Sequence, residues 1–206
     1  MSDVKGTVMS PEECSFFLSQ YSFGSLISHD LLISHIPFIF SEDNLIETHL
    51  ASGNPQIESL HNQACLLTVM GPHAFISTEY YKTKPAVPTW NYVTVSIRGI
   101  SRCLTSDELE MSLDRLLAQF QPQLKSDKQS LPDDFRQKLM SGIKGVGIEV
   151  TQISGILKLG HHRSRADQFG VFKQLEQNGQ QGYARFAQQW LRHFRPSILD
   201  GGSVVQ

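Results

Sequence analysis

The segment Y-V-T-V-S-I-R-G-I-S-R-C-L, residues 92–104, gives the clearest indication of the fold. Its apolar residues Val93, Val95 and Ile97 alternate with polar or aromatic ones, which is the pattern of an antiparallel strand with one buried face. Apolar runs separated by turn-forming residues predict further strands, at residues 23–28, 31–40, 45–50, 64–70 and 143–159. The fourth of these runs is expected to end at Gly71-Pro72, because proline cannot donate a backbone hydrogen bond to a sheet.

Helices are predicted where capping residues precede an apolar stripe. Ser10-Pro11-Glu12-Glu13 and Thr105-Ser106-Asp107-Glu108 both place Ser or Thr at the N-cap and Glu three residues later. Asn54-Pro55 begins a short helix that extends to about Asn62, and Ser164 caps the first of two helices that close the chain. Short antiparallel strands with inserted helices predict an α+β, mostly β protein, built as a closed or nearly closed barrel with peripheral helices.

Composition limits the classes of function. Apolar residues make up 40% and charged residues 18% of the 206-residue chain, which is ordinary for a globular domain. The net charge of -2 gives no overall attraction to nucleic acid or membrane surfaces. The three cysteines are widely spaced, which favours free thiols in a reducing cytoplasm. No run approaches the roughly 20 apolar residues of a spanning helix, so we expect a cytoplasmic protein without membrane contact.

Standard catalytic motifs are missing, since the sequence has no G-x-S-x-G, P-loop, H-E-x-x-H or G-x-G-x-x-G pattern. His161-His162 has the composition of a metal pair, but adjacent residues on a strand point to opposite faces, and no metal site is expected. Polar and aromatic residues gather instead at strand ends. The helix start at Asn54-Pro55 follows one of these ends and is a generic anion site, because backbone N–H groups are free there. Taken singly, each segment is explained better by packing at a barrel corner than by a binding site.

Taken in order, these segments resemble the PaiB family. The resemblance rests on F-G-S-L-I-S-H, S-H-I-P-F-I-F, T-H-L-A-S-G-N-P-Q, G-P-H-A-F-I-S-T-E-Y-Y and V-P-T-W-N-Y. I-S-G-I-L-K-L-G-H-H-R-S extends it, so that it covers roughly residues 22–172. It implies an FMN-binding split barrel related to pyridoxamine-phosphate oxidase, assembled as a homodimer with flavin sites at the subunit interface. Members are described as negative transcriptional regulators. Residues 1–160 are assigned to the split barrel with its inserted helices, and residues 161–206 to a C-terminal helical extension packed on the same domain.

The resemblance also implies which residues surround the FMN. It places four residues at the flavin ring, namely Ser34, His35, Ile36 and Pro37, and four at the ribityl chain and phosphate, namely His49, Leu50, Ala51 and Asn54. Three residues are placed close to the site, either from the same subunit or from the partner, namely Trp90, Asn91 and Tyr92. The cations for the phosphate are Lys158 and Arg163. Two segments depart from the family's pattern. Ser52-Gly53 stands where the family usually has a basic residue, and Gly160-His161-His162 replaces S-Q-N. Loss of the cation at 52–53 is expected to weaken flavin binding.

Three functions are compatible with these residues. The first is a flavin-binding transcriptional regulator that contacts DNA. Its support in the sequence is an excess of basic residues after Thr151, namely Lys158, Arg163, Arg165, Lys173, Arg185, Arg192 and Arg195 against Asp167, Glu176 and Asp200. No helix-turn-helix pattern is recognised, and a solvated helical face is the better explanation of the charges.

The other two functions involve different chemistry. A flavin-dependent oxidoreductase would use the cofactor's redox chemistry, with His35 or Tyr81 as proton donor. A haem-binding or haem-degrading split-barrel protein would use His161, His162 or His193 as the iron ligand.

Overall fold

The computed structural model of the chain describes residues 7–40, 44–125, 127 and 129–196. Within these residues the elements are, in chain order, β1 (Thr7–Val8), α1 (Pro11–Gln20), β2 (Phe23–Ser28), β3 (Ile33–Pro37), β4 (Ile39–Phe40), β5 (Leu45–Ala51), α2 (Gln56–Ser59), β6 (Gln63–Ile76), β7 (Thr89–Cys103), α3 (Ser106–Phe120), α4 (Asp133–Ser141), β8 (Ile143–Lys158), α5 (Arg165–Gln177) and α6 (Gln181–Phe194). None of the helices in these residues is long and apolar enough to cross a membrane.

The strands form one eight-stranded antiparallel sheet. Its order is β3-β2-β6-β7-β8-β5-β4, and β1 pairs with β8. β5 and β8 pair in a single register from Leu45 opposite Glu149 to Ala51 opposite Ile143. Val93, Val95 and Ile97 of β7 are fully buried, as their alternation predicts. The prediction of an α+β, mostly β fold with inserted helices is therefore confirmed.

The expected break at Gly71-Pro72 is wrong, because β6 continues through it to Ile76. β6 pairs with β2 only from Cys65 to Thr68, so Pro72 lies beyond the paired segment and its missing N–H costs no bond to β2. The buried positions change from odd to even numbers after Gly71. The dipeptide therefore changes which side chains of the strand are buried, and it does not end the strand.

The chain divides into two compact units, and each has its own core. The larger unit contains residues 14–69 and 95–154, and the smaller unit contains residues 7–13, 70–94 and 155–196 of the described chain. The larger unit buries α1 and the faces of its strands, with Phe17, Leu26, Phe38, Ile46, Leu67 and Ile148 fully enclosed. The smaller unit buries one face of α5 and of α6, through Val171, Phe172, Leu175, Tyr183, Ala184, Ala187, Trp190 and Leu191.

Local capping begins the helices where the sequence predicts it. Ser10 and Glu13 bond each other's backbone N–H at the start of α1, and Thr105 and Glu108 form the same capping box at α3. Ser164 accepts from the Asp167 N–H at α5. These bonds satisfy N–H groups that have no partner inside the helix.

α5 ends in a turn that requires glycine. Gly179 has a φ of +76°, the Gln180 N–H donates to the Leu175 carbonyl, and the Gly179 N–H donates to the Glu176 carbonyl. This is the Schellman arrangement of a helix C-terminus.

Gly179→Ala is expected to lower the free energy of unfolding by about 1 kcal/mol, because a Cβ is disfavoured at a left-handed φ. Gly182→Ala is the matched control, since neither glycine has an atom within 4 Å of an added Cβ but Gly182 lacks the positive φ. Urea unfolding of both variants measures the difference. An equal effect at the two positions would contradict the conformational explanation.

Candidate functional site

Asn54 joins the two motifs that are predicted to surround FMN in the larger unit. Its Nδ2 donates to Ser34 Oγ on β3 at 2.9 Å, and its Oδ1 accepts from the Gln56 N–H at 2.9 Å. Ser34 belongs to S-H-I-P-F, and Asn54 begins N-P-Q. The structure thus brings these motifs into direct contact although 20 residues separate them.

Gln56 is a neighbouring residue that the sequence interpretation missed. Its side chain is buried, and Nε2 donates to the carbonyls of Leu26 at 2.9 Å and Leu32 at 2.8 Å. These bonds hold the start of α2 against the β2–β3 hairpin. The signal for this role was present, because Gln56 is the last residue of N-P-Q.

The predicted residues of β3 and β5 differ in accessibility. His35 is exposed, and its Nδ1 lies 2.9 Å from Ser25 Oγ. Ala51 is also exposed. Ile36 and Leu50, in contrast, are buried in the core. A ligand on the surface of this unit can therefore touch the side chains of His35 and Ala51 without displacing core residues.

Pro37 and His49 line one cavity of about 470 Å³. Its other lining residues are mostly apolar and come from α3, α4, their connection and the first residue of β8, namely Leu113, Leu116, Leu117, Phe120, Gln121, Leu131, Arg136, Leu139, Met140 and Ile143. Burial lowers the pKa of His49. Its Nδ1 is buried and has no hydrogen-bond partner among the described residues. The cavity therefore offers an apolar recess with a neutral imidazole at its wall.

The helix that follows the expected anion site at Asn54-Pro55 is short. α2 is a single turn of four residues, so its dipole is small compared with that of a full helix. Ser52 and Gly53 are exposed, and no atom lies within 4 Å of a Cβ built on Gly53. The nearby surface therefore has room for a cation but carries none at these two positions.

Trp90, one of the predicted aromatic residues of the smaller unit, lies in a surface patch with Phe75 and His73. Trp90 is 53% exposed and Phe75 is 43% exposed. The Trp90 ring is 5.8 Å from that of Phe75 and 6.0 Å from that of His73. Asn91, the next residue, is buried, because side chains alternate between the two faces of β7.

Both predicted cations also lie in the smaller unit. Lys158 Nζ donates to Thr89 Oγ1 at 2.7 Å and is 6.0 Å from the centre of the Tyr92 ring. The Arg163 guanidinium lies 4.6 Å from the centre of the Tyr81 ring. Within the described ranges neither residue forms an ion pair with a carboxylate. Their positive charges are thus not neutralised by a salt bridge there.

Asp167 anchors the loop that precedes the aromatic patch, and sequence reasoning missed this role. It is buried, and its Oδ1 accepts from the backbone N–H groups of Lys82 at 2.7 Å and Thr83 at 2.9 Å. Burial raises the pKa of this carboxyl, but the bonds from Thr83 and Lys82 outweigh burial and leave the pKa below its ordinary value. The adjacent Tyr81 is buried, and desolvation raises its pKa. Tyr81 therefore keeps its proton more tightly than an exposed tyrosine.

The histidines proposed as haem ligands have other contacts. His161 Nε2 lies 2.6 Å from Thr7 Oγ1, and its buried Nδ1 has no partner in the described part of the chain. Burial lowers the pKa of His161, and the charge of Arg195 lowers it further. The His161 and His162 rings are 6.4 Å apart at 78°. Iron coordination through Nε2 of His161 would have to break the contact with Thr7, so this geometry does not favour that ligand.

A family model and a relative of known sequence both match this chain. A family model described as "Putative FMN-binding domain" matches residues 7–152. Protease synthase and sporulation protein PAI 2 of Bacillus subtilis is 32% identical over 182 residues, which cover 82% of this chain and 86% of the relative.

Two solved structures with a similar fold carry a flavin in their description. The FAD and haem binding protein of Mycobacterium smegmatis matches with a TM-score of 0.57 and 16% identity, covering 75% of this chain and 73% of that one. The flavocytochrome Anf3 of Azotobacter vinelandii matches with a TM-score of 0.55 and 11% identity, covering 73% and 69%. At these identities the likeness concerns the fold alone. Together with the antiparallel sheet and the contact between its motifs, these matches show that the chain belongs to the PaiB family of FMN-binding split-barrel proteins.

Proposed function

We propose that this chain binds FMN and acts, with the flavin bound, as a transcriptional regulator of the PaiB type. The observation that supports flavin binding best is the contact between Asn54 and Ser34, together with the position of Pro37 and His49 at one cavity. Two motifs that the resemblance assigns to FMN thus meet in the larger unit. The proposal also agrees with the family description of residues 7–152.

The residues present suit a flavin. An isoalloxazine ring needs an apolar surface and a few hydrogen-bonding groups, and the buried, unpartnered Nδ1 of His49 beside an apolar cavity offers both. Exposed His35 adds a second polar group on β3. Bound FMN would supply the redox chemistry, whereas the chain would supply position and electrostatics.

The FMN phosphate has fewer candidate binding groups in the larger unit than the isoalloxazine ring has. In the larger unit Arg102, Arg115 and Arg136 are each paired with a carboxylate, so their charges are already compensated. Among the described residues of the smaller unit, Lys158 and Arg163 form no ion pair with a carboxylate. Asn54 in the larger unit and Lys158 in the smaller unit are therefore separate candidates for contact with FMN, and separate variants test them.

Fluorescence titration of FMN with the purified chain tests the binding. We expect quenching of flavin fluorescence, weaker affinity in Asn54→Ala and Lys158→Gln, and unchanged affinity in Gln137→Ala, which alters an exposed residue of α4. No quenching up to about 0.1 mM FMN, where binding contributes little more than 5 kcal/mol, would contradict the proposal. Loss in only one of the two variants would identify which group contacts the cofactor.

Ser52→Arg is expected to tighten FMN binding about tenfold, equivalent to about 1.4 kcal/mol, because it adds a cation able to bond the phosphate. The exposed position accommodates the side chain, and its backbone bond from Ser52 N to the Gly142 carbonyl is unaffected. Ser52→Gln is the uncharged control. Riboflavin, which lacks the phosphate, should bind the wild type and Ser52→Arg equally. A gain that is as large for riboflavin would show that charge pairing is not the cause.

The regulatory role is proposed from the family resemblance and from the basic residues of the C-terminal helices.

An oxidoreductase is the second candidate, because exposed His35, held through Nδ1 by Ser25, is placed to donate a proton. NAD(P)H oxidation above the rate of free FMN, abolished in His35→Ala, would support this candidate. Salt-sensitive binding of DNA without such turnover would support the regulator.

The expected assembly is a homodimer in the cytoplasm. The exposed aromatic patch of Trp90, Phe75 and His73 supports a protein interface on the smaller unit, since aromatic residues are enriched at interfaces. Light scattering of the wild type and of Trp90→Ser measures the association. A monomeric wild type would contradict this expectation.

A further inference from the structure

The two helices of the smaller unit are connected as in a helix-turn-helix. α5 ends at Gln177 and α6 begins at Gln181, so a turn of three residues containing Gly179 joins them. DNA-binding helix pairs have turns of three or four residues that often contain glycine. The Schellman bonds at Gly179 hold this turn in one conformation. The sequence predicted both helices but no helix-turn-helix pattern, because the only local signal of the turn is Asn178-Gly179.

α6 separates apolar and polar side chains completely. Its buried face consists of Tyr183, Ala184, Ala187, Trp190 and Leu191. Its exposed face carries Gln181, Arg185, Gln189 and Arg192. These positions follow one another at intervals of four, four and three residues, and therefore form one stripe along the helix.

The charge on this stripe is uncompensated. The 14 residues of α6 include no Asp or Glu, although the whole chain has 20 acidic and 18 basic residues. Arg185 and Arg192 form no ion pair in the portion of the chain that the structure describes. Arg195, just after the helix, is in contrast bonded to buried Glu13 at 2.8 Å. An ordinary solvated helix alternates acidic and basic residues, and α6 does not.

We infer that the exposed stripe of α6 binds double-stranded DNA. Arginine binds phosphates and the edge of guanine, and glutamine can bond adenine in the major groove. Arg185 and Arg192 are about 10 Å apart along the helix axis, close to the roughly 12 Å width of that groove. The inference rests on the proposed regulatory function and names its contact surface.

Fluorescence anisotropy with the full-length chain and a labelled mixed-sequence 30-base-pair duplex at about 50 mM salt tests this surface. The variant Arg185→Gln/Arg192→Gln is compared with Arg98→Gln/Lys138→Gln, which removes the same charge from exposed residues outside α6. We expect at least a tenfold loss of affinity in the first variant and a smaller change in the second. The slope of log K against log salt should fall by about 1.8 in the first variant, since each lost phosphate contact removes about 0.9.

FMN titration of the same variants separates this inference from the proposed function. FMN affinity should be unchanged, because the α6 stripe is not among the candidate flavin residues. Wild-type DNA binding that is unaffected by the α6 variant, or equally weakened by the control, would overturn the α6 surface and leave direct regulation standing. Absence of DNA binding by the wild type would overturn both the α6 surface and direct regulation. FMN binding is tested separately, by the FMN titration.

Discussion

Asp167→Ala is expected to lower the free energy of unfolding by about 3 kcal/mol, because two backbone N–H groups lose a charged acceptor. The Asp167 carboxylate accepts from Lys82 and Thr83, which lie more than 80 residues earlier in the chain. Without it, these N–H groups either remain unpaired or the loop at 82–83 moves into solvent. Trypsin cleavage after Lys82 should then become faster, since an opened loop is a better protease substrate.

Asp167→Asn gives a more detailed test of the same contact. The amide oxygen can still accept both bonds but without the charge, so we expect a loss of about 1 kcal/mol. Glu176→Ala, an exposed acidic residue on the same helix, is the control and should change stability by less than about 0.5 kcal/mol. If Asp167→Ala and Glu176→Ala are equally stable by urea unfolding, the carboxylate does not anchor the loop.

The effect of Asp167 should also depend on pH. Its pKa in the folded chain is below the unfolded value, so its ionised form stabilises the fold above roughly pH 4, the usual aspartate range. As the pH falls through the lowered pKa, protonation removes this contribution. The difference in unfolding free energy between wild type and Asp167→Asn should therefore be full at neutral pH and shrink in acid. A difference that stays constant from pH 7 to about pH 2 would contradict this account.

Arg115→Met is expected to lower the free energy of unfolding by about 2 kcal/mol, because it leaves the Glu47 carboxylate buried without its partner. Arg115 on α3 binds Glu47 on β5 with two bonds, Nε to Oε2 at 2.8 Å and Nη2 to Oε1 at 2.5 Å. The Glu47 side chain is 7% exposed and that of Arg115 is 41% exposed. Since solvent screens the arginine, we place the effect below that of a fully buried pair.

The double variant Glu47→Leu/Arg115→Met separates loss of the pair from loss of packing. Replacing both charges by apolar groups is often close to neutral, so the double variant should recover most of the lost stability. Chemical unfolding of the wild type, both single variants and the double variant completes the cycle. A double variant as unstable as Arg115→Met would show that the ion pair is not what attaches α3 to β5.

Much of the secondary structure was predictable because its causes are local. The alternation at residues 92–104 identified β7, which spans Thr89–Cys103, since a strand with one buried face repeats every two residues. The capping box at Thr105 and Glu108 lies within four residues and was equally visible. The strand end predicted at Gly71-Pro72 was wrong, because a proline interrupts a sheet only where its missing N–H faces a neighbouring strand.

The candidate site was predictable only in part. The resemblance supplied the motifs, but it did not show which of their side chains point into the core, as those of Ile36 and Leu50 do. Gln56 and Asp167 were missed, because their partners at residues 26, 32, 82 and 83 are distant in the chain and no periodic pattern marks such pairs.

The sequence by itself determined the mostly β architecture, the helix starts and membership of the PaiB family, because strand alternation, capping residues and family motifs are all written in short stretches of chain. Only the tertiary structure decided that Asn54 contacts Ser34 and that Glu47 is paired with Arg115. These contacts depend on which distant segments pack together and exclude water. A buried polar group must then find its partner wherever the fold places one.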